Sequence, residues 1–188
     1  ELPEVETIVR ALRAGGRGGP SILKKQVQSA ELLWPRTLAE PDGGQFLARL
    51  PFQRVMAVER RGKYIVIRLE QDTLLVHLRM SGDLRVEPGG ALQPHDRLAV
   101  NFLDGWRLVF NDARKFGRVW LVADAERVLA GLGPEPFDPT LTAGVFHQRL
   151  REHRRQIKPL LLDQSFLAGM GNIYTDEALH LAKIHPLQ

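Results

Sequence analysis

Apolar residues recur at helical spacing at the start of the chain and alternate with polar residues further along it. Val5, Ile8, Val9 and Leu12 lie three or four positions apart, which predicts an amphipathic helix over Leu2–Leu12. From about residue 21 to 124, short runs of β-branched and alternating residues predict strands. The clearest runs are Val55–Arg60, Tyr64–Leu69, Leu74–Leu78, Leu98–Leu103, Trp106–Phe110 and Val119–Val122. Tight turns separate these runs and leave no room for crossover helices, so the pattern predicts an antiparallel sandwich or barrel.

The pattern becomes helical again after Asp124. A stretch rich in Gly and Pro at residues 131–136 is typical of a stiff linker. Helical spacing follows at Thr142–His153, Ile157–Gln164 and Tyr174–Ala182. We therefore expect an α+β chain with a β-rich domain over residues 1–124, a linker over 125–140 and a helical domain over 141–188. The last helix has few partners, and on that ground we expect the natural chain to continue.

Composition narrows the function classes. The 26 Lys and Arg residues exceed the 22 Asp and Glu residues, for a formal net charge of +4. This modest excess is compatible with a nucleic-acid partner. The absence of cysteine rules out disulfides, thiolate zinc sites and cysteine nucleophiles within these residues. The sequence contains no run of about 18 apolar residues, so it predicts no transmembrane helix.

Three acidic residues lie close to the N-terminus: Glu1, Glu4 and Glu6. Carboxylates at a helix start stabilise the helix by about 0.3–1 kcal/mol each, which is the structural interpretation. A carboxylate beside a free terminal amine also acts as an acid or base in a reaction run by that amine. The residues alone leave both interpretations open.

Basic residues form two further clusters. The segment 111–117 places Arg114, Lys115 and Phe116 at a strand turn, where cations and an aromatic ring suit contact with stacked bases. In the helical part, a basic stretch precedes the glycine-rich segment 169–172, and exposed amides at a helix start bind phosphate. Its members are Arg149, Arg151, Arg154, Arg155 and Lys158. Solvated cations are the alternative interpretation. The charge pattern favours nucleic acid but identifies no reaction.

Five ordered motifs carry a resemblance to a known family. They are Glu1-Leu2-Pro3-Glu4-Val5-Glu6-Thr7, Arg61-Gly62-Lys63-Tyr64, His77-Leu78-Arg79-Met80-Ser81-Gly82, Asp112-Ala113-Arg114-Lys115-Phe116-Gly117, and Leu162-Asp163-Gln164 with Gly169-Met170-Gly171-Asn172-Ile173-Tyr174-Thr175-Asp176-Glu177. In these motifs the sequence resembles bacterial formamidopyrimidine-DNA glycosylase, which repairs oxidised purines. The related endonuclease VIII group, which acts on oxidised pyrimidines, is the alternative; it usually has Gly where Leu2 stands.

The resemblance implies an architecture. We expect an N-terminal antiparallel β-sandwich flanked by helices, a helical domain with a helix–two-turn–helix motif, and DNA in the cleft between them. It also implies a structural zinc in a C-terminal finger with four cysteines, which this sequence lacks. The family's nucleophile is an N-terminal proline that would directly precede Glu1. We therefore expect the sequence to be truncated at both ends; a chain truly lacking that proline would be a non-catalytic lesion-binding module.

The resemblance also implies roles for individual residues. Glu1, Glu4 and Lys63 match catalytic positions, and Met80, Arg114 and Phe116 match residues inserted into the duplex; core packing is the alternative for Met80. The positions that match DNA contacts are His95, Arg114, Lys115, His153, Arg154, Lys158, Asn172 and Tyr174. The implied partner is double-stranded DNA with an oxidised base or an abasic site. We expect a monomer in the bacterial cytoplasm, associated with the nucleoid.

Overall fold

The structure is a computed structural model, and it describes residues 2–188. These residues form two compact units. The first, called the sandwich unit below, comprises residues 3–60 and 64–125. The second, called the helical unit, comprises Leu2, Arg61–Lys63 and residues 126–188. The domain limits given above from the sequence stay a prediction.

The first helix, α1, spans Leu2–Ala14, which confirms the prediction made from its apolar spacing. Val5, Ile8, Val9 and Leu12 are all buried on its inner face. The helix ends where Gly15 adopts a φ of +84°, a conformation that glycine tolerates better than other residues.

Two sheets make up the sandwich unit. One sheet has the strand order β1-β7-β8-β6, and the other has β2-β9-β5-β4-β3. The strands are β1 (Val27–Leu32), β2 (Leu38–Glu40), β3 (Val55–Arg61), β4 (Tyr64–Leu69), β5 (Thr73–His77), β6 (Gly82–Pro88), β7 (Asp96–Phe102), β8 (Trp106–Asp112) and β9 (Arg118–Val122). Helix α2 spans Gly43–Arg49.

The core of the sandwich unit follows the two-residue period of its strands. Ile65 and Ile67 of β4 belong to the same buried cluster as Leu98 and Val100 of β7. Side chains that alternate along a strand point to opposite faces, so every second residue enters the core. Both sheets therefore bury one face in a shared core, as the alternating pattern predicted.

Several elements escaped prediction. Strands β1, β2 and β6 were missed; half of the residues of β1 are polar and do not alternate, and β2 is only three residues long. Strand β2 also pairs with β9 in parallel, so one pairing departs from the expected antiparallel arrangement. The intervening chain, which contains α2 and β3–β8, provides the connection that a parallel pair requires.

The helical unit contains α3 (Glu126–Leu129), α4 (Ala143–Arg151), α5 (Ile157–Leu162) and α6 (Asn172–Ala182). Its core is a small cluster of Leu160, Leu161, Phe166, Leu167 and Leu179. The three helices predicted after Asp124 are confirmed. Four of their six ends differ from the predicted bounds by one or two residues, and the other two agree. No helix in residues 2–188 has the length and apolar character needed to cross a membrane.

Candidate nucleic-acid interface

The start of α1 packs within the helical unit. The Leu2 side chain is buried, and a Cβ added to Gly169 would lie only 2.3 Å from Leu2 Cδ1. Gly169 also has a φ of +100°, so both backbone geometry and space favour glycine there. A Cβ added to Gly62 would lie 3.4 Å from the Cβ of Ala168 and 3.6 Å from the Gly169 nitrogen. Leu2 and the β3–β4 turn therefore meet the same short segment.

This contact bears on two predicted catalytic positions. Lys63 directly follows Gly62, and its side chain is half-buried. Glu1 directly precedes Leu2, but it lies outside the described residues. The sequence neighbours of Lys63 and of Glu1 are thus brought together at Ala168–Gly169.

The turn that carries Lys63 is held by the segment 132–135. The Arg61 guanidinium donates to the carbonyl oxygens of Leu132 at 3.0 Å and Gly133 at 2.8 Å. The Gly62 amide donates to Glu135 Oε1 at 2.8 Å. These bonds connect a strand turn to a segment more than 70 residues away in sequence, and the motif Arg61-Gly62-Lys63 gave no indication of that partner.

The other two acids of α1 differ in their surroundings. Glu6 accepts from Arg10 Nε at 2.8 Å and from Arg60 Nε at 3.0 Å. Burial alone would raise the pKa of Glu6, but the bonds from these two arginines outweigh it and hold that pKa below its usual range. Glu6 therefore connects α1 to β3. Glu4 is exposed in the first turn of α1.

A glutamine organises the segment before α6. Gln164 Oε1 accepts from the Gly169 amide at 3.0 Å, while its Nε2 donates to the carbonyls of Leu162 and Met170 at 2.9 Å. Helix α6 begins at Asn172, and its N-cap, Gly171, has no side chain to bind the first amides. An uncapped helix start attracts anions. Sequence reasoning gave Gln164 no role, although it lies in one of the quoted motifs.

Two predicted DNA-binding cations, Lys158 and Arg154, lie on the surface of the helical unit. Lys158 Nζ is 2.7 Å from a carboxylate oxygen of Asp176, and both side chains are partly exposed. Arg154 is exposed and has no ion-pair partner within residues 2–188. The His153 ring contacts Phe166 edge-on, with 5.2 Å between ring centres. The exposed side chains Asn172 and Tyr174 lie in the first turn of α6.

Met80 lies in the tight turn between β5 and β6 and is 70% exposed. The core-packing alternative for this residue is therefore wrong. The preceding residue, Arg79, has a φ of +57°, and its amide donates to His77 Nδ1 at 3.1 Å. The backbone of the turn thus directs a large apolar side chain into solvent.

The turn between β8 and β9 carries three of the predicted DNA-binding side chains. The Arg114 guanidinium lies 5.1 Å from the centre of the Phe116 ring, which is half exposed. The Lys115 ammonium lies 4.0 Å from the centre of the Trp34 ring. Sequence reasoning missed this cation–π contact, because Trp34 belongs to none of the motifs.

Two of these exposed turns and the segment that carries His95 converge on Asp112, to which sequence reasoning assigned no role. The Asp112 carboxylate accepts from Ser81 Oγ at 2.5 Å and from the Gly117 amide at 2.7 Å. The Asp112 amide donates to the carbonyl of His95 at 3.0 Å. His95 itself is exposed, with a φ of +73°.

The residues of this chain do not fit the zinc that the resemblance implies. The finger implied by the resemblance binds that ion through four cysteines, and the sequence has none. Within residues 2–188, no group of three His, Asp or Glu side chains is arranged to hold a metal ion.

Comparison with known proteins identifies the family. Residues 1–119 match the model of the formamidopyrimidine-DNA glycosylase N-terminal domain, and residues 132–188 match that of its H2TH domain. The formamidopyrimidine-DNA glycosylases of Protochlamydia amoebophila and Chloroflexus aggregans are 44% and 47% identical to this chain. Each match covers all of this chain and 67% of the relative.

Solved structures show the same similarity. The Lactococcus lactis enzyme in complex with abasic-site DNA matches with a TM-score of 0.88 and 35% identity, over all of this chain and 69% of that one. The same enzyme with DNA containing FAPY-dG matches with a TM-score of 0.86 and 36% identity, over all of this chain and 70% of that one. The chain therefore belongs to the formamidopyrimidine-DNA glycosylase family, a family of bifunctional DNA-repair enzymes that are both glycosylase and AP lyase.

Proposed function

We propose that this chain is the main part of an enzyme that removes oxidised purines, 8-oxoguanine and formamidopyrimidines, from duplex DNA and then cleaves the abasic strand. The observation that carries the proposal is the contact of Leu2 and Gly62 with Ala168–Gly169. It holds the sequence neighbours of Glu1 and Lys63, the two main predicted catalytic residues, at one place. We propose that the enzyme works as a monomer on DNA in the bacterial cytoplasm.

The chemistry follows from a terminal amine. In the family, a proline amine that directly precedes Glu1 attacks C1′ of the damaged nucleotide, and the base leaves with the electrons of its glycosidic bond. A terminal amine has an unperturbed pKa of about 8, so a useful fraction is neutral near pH 7. We assign to Glu1 the proton given to the sugar ring oxygen as the ring opens to an iminium ion. Glu4 has a supporting role.

Strand cleavage then proceeds from the iminium ion. Loss of a proton from C2′ expels the 3′ phosphate, and a second elimination expels the 5′ phosphate. We assign to Lys63 the contact with a phosphate of the damaged nucleotide. Its turn is suited to this role, because three hydrogen bonds from Arg61 and Gly62 to the 132–135 segment limit its movement.

Access to C1′ requires the nucleotide to leave the duplex. Unstacking costs a few kcal/mol, which inserted side chains offset. We propose that Met80, Arg114 and Phe116 fill the gap, with Arg114 bonding to the unpaired base opposite. Their exposure on tight turns supports this role, since large apolar side chains are costly in water unless a partner covers them.

The remaining predicted contacts are with the DNA backbone, and we propose that they bind phosphate. They divide into side chains of the sandwich unit, His95 and Lys115, and side chains of the helical unit: His153, Arg154, Lys158, Asn172 and Tyr174. All are exposed except Lys158, which is partly exposed. Lys158 is already paired with Asp176, so phosphate must compete with that carboxylate.

The test is reductive trapping with the full-length enzyme. A duplex with 8-oxoguanine opposite cytosine is mixed with enzyme and borohydride, which reduces the iminium ion to a stable covalent bond. We expect a trapped complex for the wild type and a loss of strand cleavage of about a hundredfold for Glu1→Gln and Lys63→Ala. Lys24→Ala, at an exposed lysine outside every motif, is the matched control and should retain full activity.

Three other results would contradict parts of the proposal. Tight binding to the lesion without a trapped complex would indicate a non-catalytic lesion-binding module. Faster release of thymine glycol than of 8-oxoguanine would indicate the pyrimidine-repair branch. Full activity of Lys63→Ala would remove that lysine from the mechanism.

A further inference from the structure

We propose that Asp112 is a positioning residue for base eversion: its buried carboxylate holds the Met80 turn and the 113–117 turn in the one arrangement that enters the duplex. This inference rests on the proposed function, because it assumes that both turns contact DNA. It assigns Asp112 no contact with substrate.

The hydrogen bonds reach both turns at once. Asp112 Oδ1 accepts from Ser81 Oγ at 2.5 Å and from the Arg114 amide at 3.1 Å. Asp112 Oδ2 accepts from the Gly117 amide at 2.7 Å, and the Phe116 amide is a further backbone donor to this carboxylate. One side chain therefore binds the residue after Met80 and three of the residues that form the other turn.

The burial and charge of Asp112 suit this task. The residue is 0% exposed. Burial raises its pKa, but the bonds from Ser81, Gly117, Arg114 and Phe116 outweigh burial and leave that pKa below the usual range of aspartate. The carboxylate is therefore charged at neutral pH and acts only as an acceptor. Bonds to a buried charged acceptor are stronger than neutral ones, so the two turns are held firmly.

Close packing of both turns against the buried Phe110 ring supports the same arrangement. A Cβ added to Gly117 would lie 2.3 Å from Phe110 Cζ, and one added to Gly82 would lie 2.9 Å from Phe110 Cε2. Phe110 is itself 1% exposed. Both turns thus place a glycine against the same buried ring, and only glycine leaves room for that approach.

A third segment is attached through the backbone of the same residue. The Asp112 amide donates to the His95 carbonyl at 3.0 Å, and its carbonyl accepts from Arg97 Nε at 2.8 Å. Another nitrogen of the Arg97 guanidinium lies 3.2 Å from His95 Nδ1. The backbone of the exposed His95 is therefore held in a fixed position relative to the Met80 turn and the 113–117 turn.

Preorganisation explains why such a connection is useful. Met80 and Phe116 are 70% and 50% exposed, and free turns would let both side chains fold back onto the protein surface. Ordering them only on contact with DNA would subtract from the binding energy available for unstacking. A buried connection meets that cost during folding instead.

The test compares Asp112→Asn and Ser81→Ala with Asp83→Asn, a neighbouring exposed carboxylate that pairs with Arg17. Each full-length variant is offered 8-oxoguanine in a fully paired duplex and in a bulged duplex where the lesion is already unstacked. Insertion is followed by the fluorescence of 2-aminopurine placed beside the lesion. We expect Asp112→Asn and Ser81→Ala to lower the insertion rate and the turnover on the paired duplex by about tenfold or more.

On the bulged duplex the same variants should stay within about twofold of the wild type, since little unstacking remains to be done. Ser81→Thr, which keeps the hydroxyl, should restore the paired-duplex rate. Ser81→Ala removes only one of the bonds, so it serves if Asp112→Asn does not fold. Equal losses on both substrates, or no loss in insertion rate, would overturn the proposal. Trapping by the wild type on either substrate separates that result from a failure of the proposed function.

Discussion

The two units of the molecule treat their charged residues differently. In the sandwich unit, one group of carboxylates and guanidinium groups is largely buried on β6, β7 and β8. In the helical unit, the pairs formed by Lys158 and Arg155 are on the surface, where solvent and a phosphate compete for them. The contrast suggests a division of labour in which the first unit presents a preset shape and the second offers exchangeable charge.

The buried charges of the sandwich unit form a network on one sheet. Asp96 accepts from Arg85 at 2.8 Å and from Asn111 Nδ2 at 2.8 Å. Glu87 accepts from Arg85 Nε at 2.6 Å and also from the guanidinium of Arg107. The bonds to Arg85 and Asn111 and from the Gln93 amide outweigh burial and lower the pKa of Asp96. Removing one member would leave a buried charge without its full set of partners.

The ion pairs along residues 155–176 of the helical unit are more exposed than this network. The pairs Lys158–Asp176 and Arg155–Asp163 have side chains between 29% and 51% exposed, whereas the Arg61–Glu135 pair at the β3–β4 turn is less exposed, at 35% and 17%. Exposed pairs contribute little to stability, with a typical value of about 0–1 kcal/mol. They are therefore easily given up when DNA binds.

The largest effect is expected from breaking the buried network. Asp96→Ala should lower the free energy of unfolding by about 3 kcal/mol, because it leaves the mostly buried Arg85 with one carboxylate fewer. Asp83→Ala, which removes an exposed pair with Arg17 in the same unit, should cost about 0–1 kcal/mol. Urea denaturation of the full-length protein measures both. Equal costs would remove the distinction between buried and exposed charge.

A smaller effect is expected from acid in the helical unit. Bonds from Ser165 and Arg155 lower the pKa of Asp163 to about 2. A depressed pKa in the folded state contributes stability that is present above about pH 4 and is lost as the pH falls through about 2. Ser165→Ala should therefore cost about 1 kcal/mol at pH 6.

The pH series provides the control for that measurement. Other carboxylates with a lowered pKa affect the stability of both proteins equally. The informative quantity is therefore the difference in unfolding free energy between the wild type and Ser165→Ala. This difference should close as the pH falls from about 4 to about 2. A difference that stays constant across that range would mean that Asp163 is not the acceptor responsible.

The smallest change in stability is expected at Lys158 and Asp176, where we expect a measurable change in the affinity for DNA. Asp176→Asn should change the unfolding free energy by at most about 0.5 kcal/mol. It should tighten DNA binding by releasing Lys158, whereas Lys158→Ala should weaken binding and reduce the salt slope by about one. The readout is the dissociation constant as a function of salt concentration.

The control for this pair is Glu152→Gln, which removes an exposed negative charge with no ion-pair partner in residues 2–188. It should tighten binding less than Asp176→Asn does. Equal tightening by both variants would show that only the overall charge matters.

Local patterns were sufficient for much of the fold. The apolar spacing of α1 reports which side of the helix is buried, and the apolar runs of β4 and β7 mark these two strands as largely buried, which is a local property of the sequence. The motif residue Phe116 could likewise be assigned to a turn, since Gly117 follows it, whereas Met80 just after a predicted strand was equally typical of core packing. Strand β1 was not predicted, because its sequence, Val-Gln-Ser-Ala-Glu-Leu, has too few apolar residues to show a two-residue period.

What the sequence determined by itself is therefore the order of the main elements, the family, and the residue types offered to DNA. Only the tertiary structure decided that Lys115 lies over Trp34, that Lys158 is paired with Asp176, and that Asp112 joins two turns. These contacts join residues 18 to 81 positions apart. Periodicity reports only whether a residue is buried, whereas a partner so distant is set by how the strands and helices pack in three dimensions.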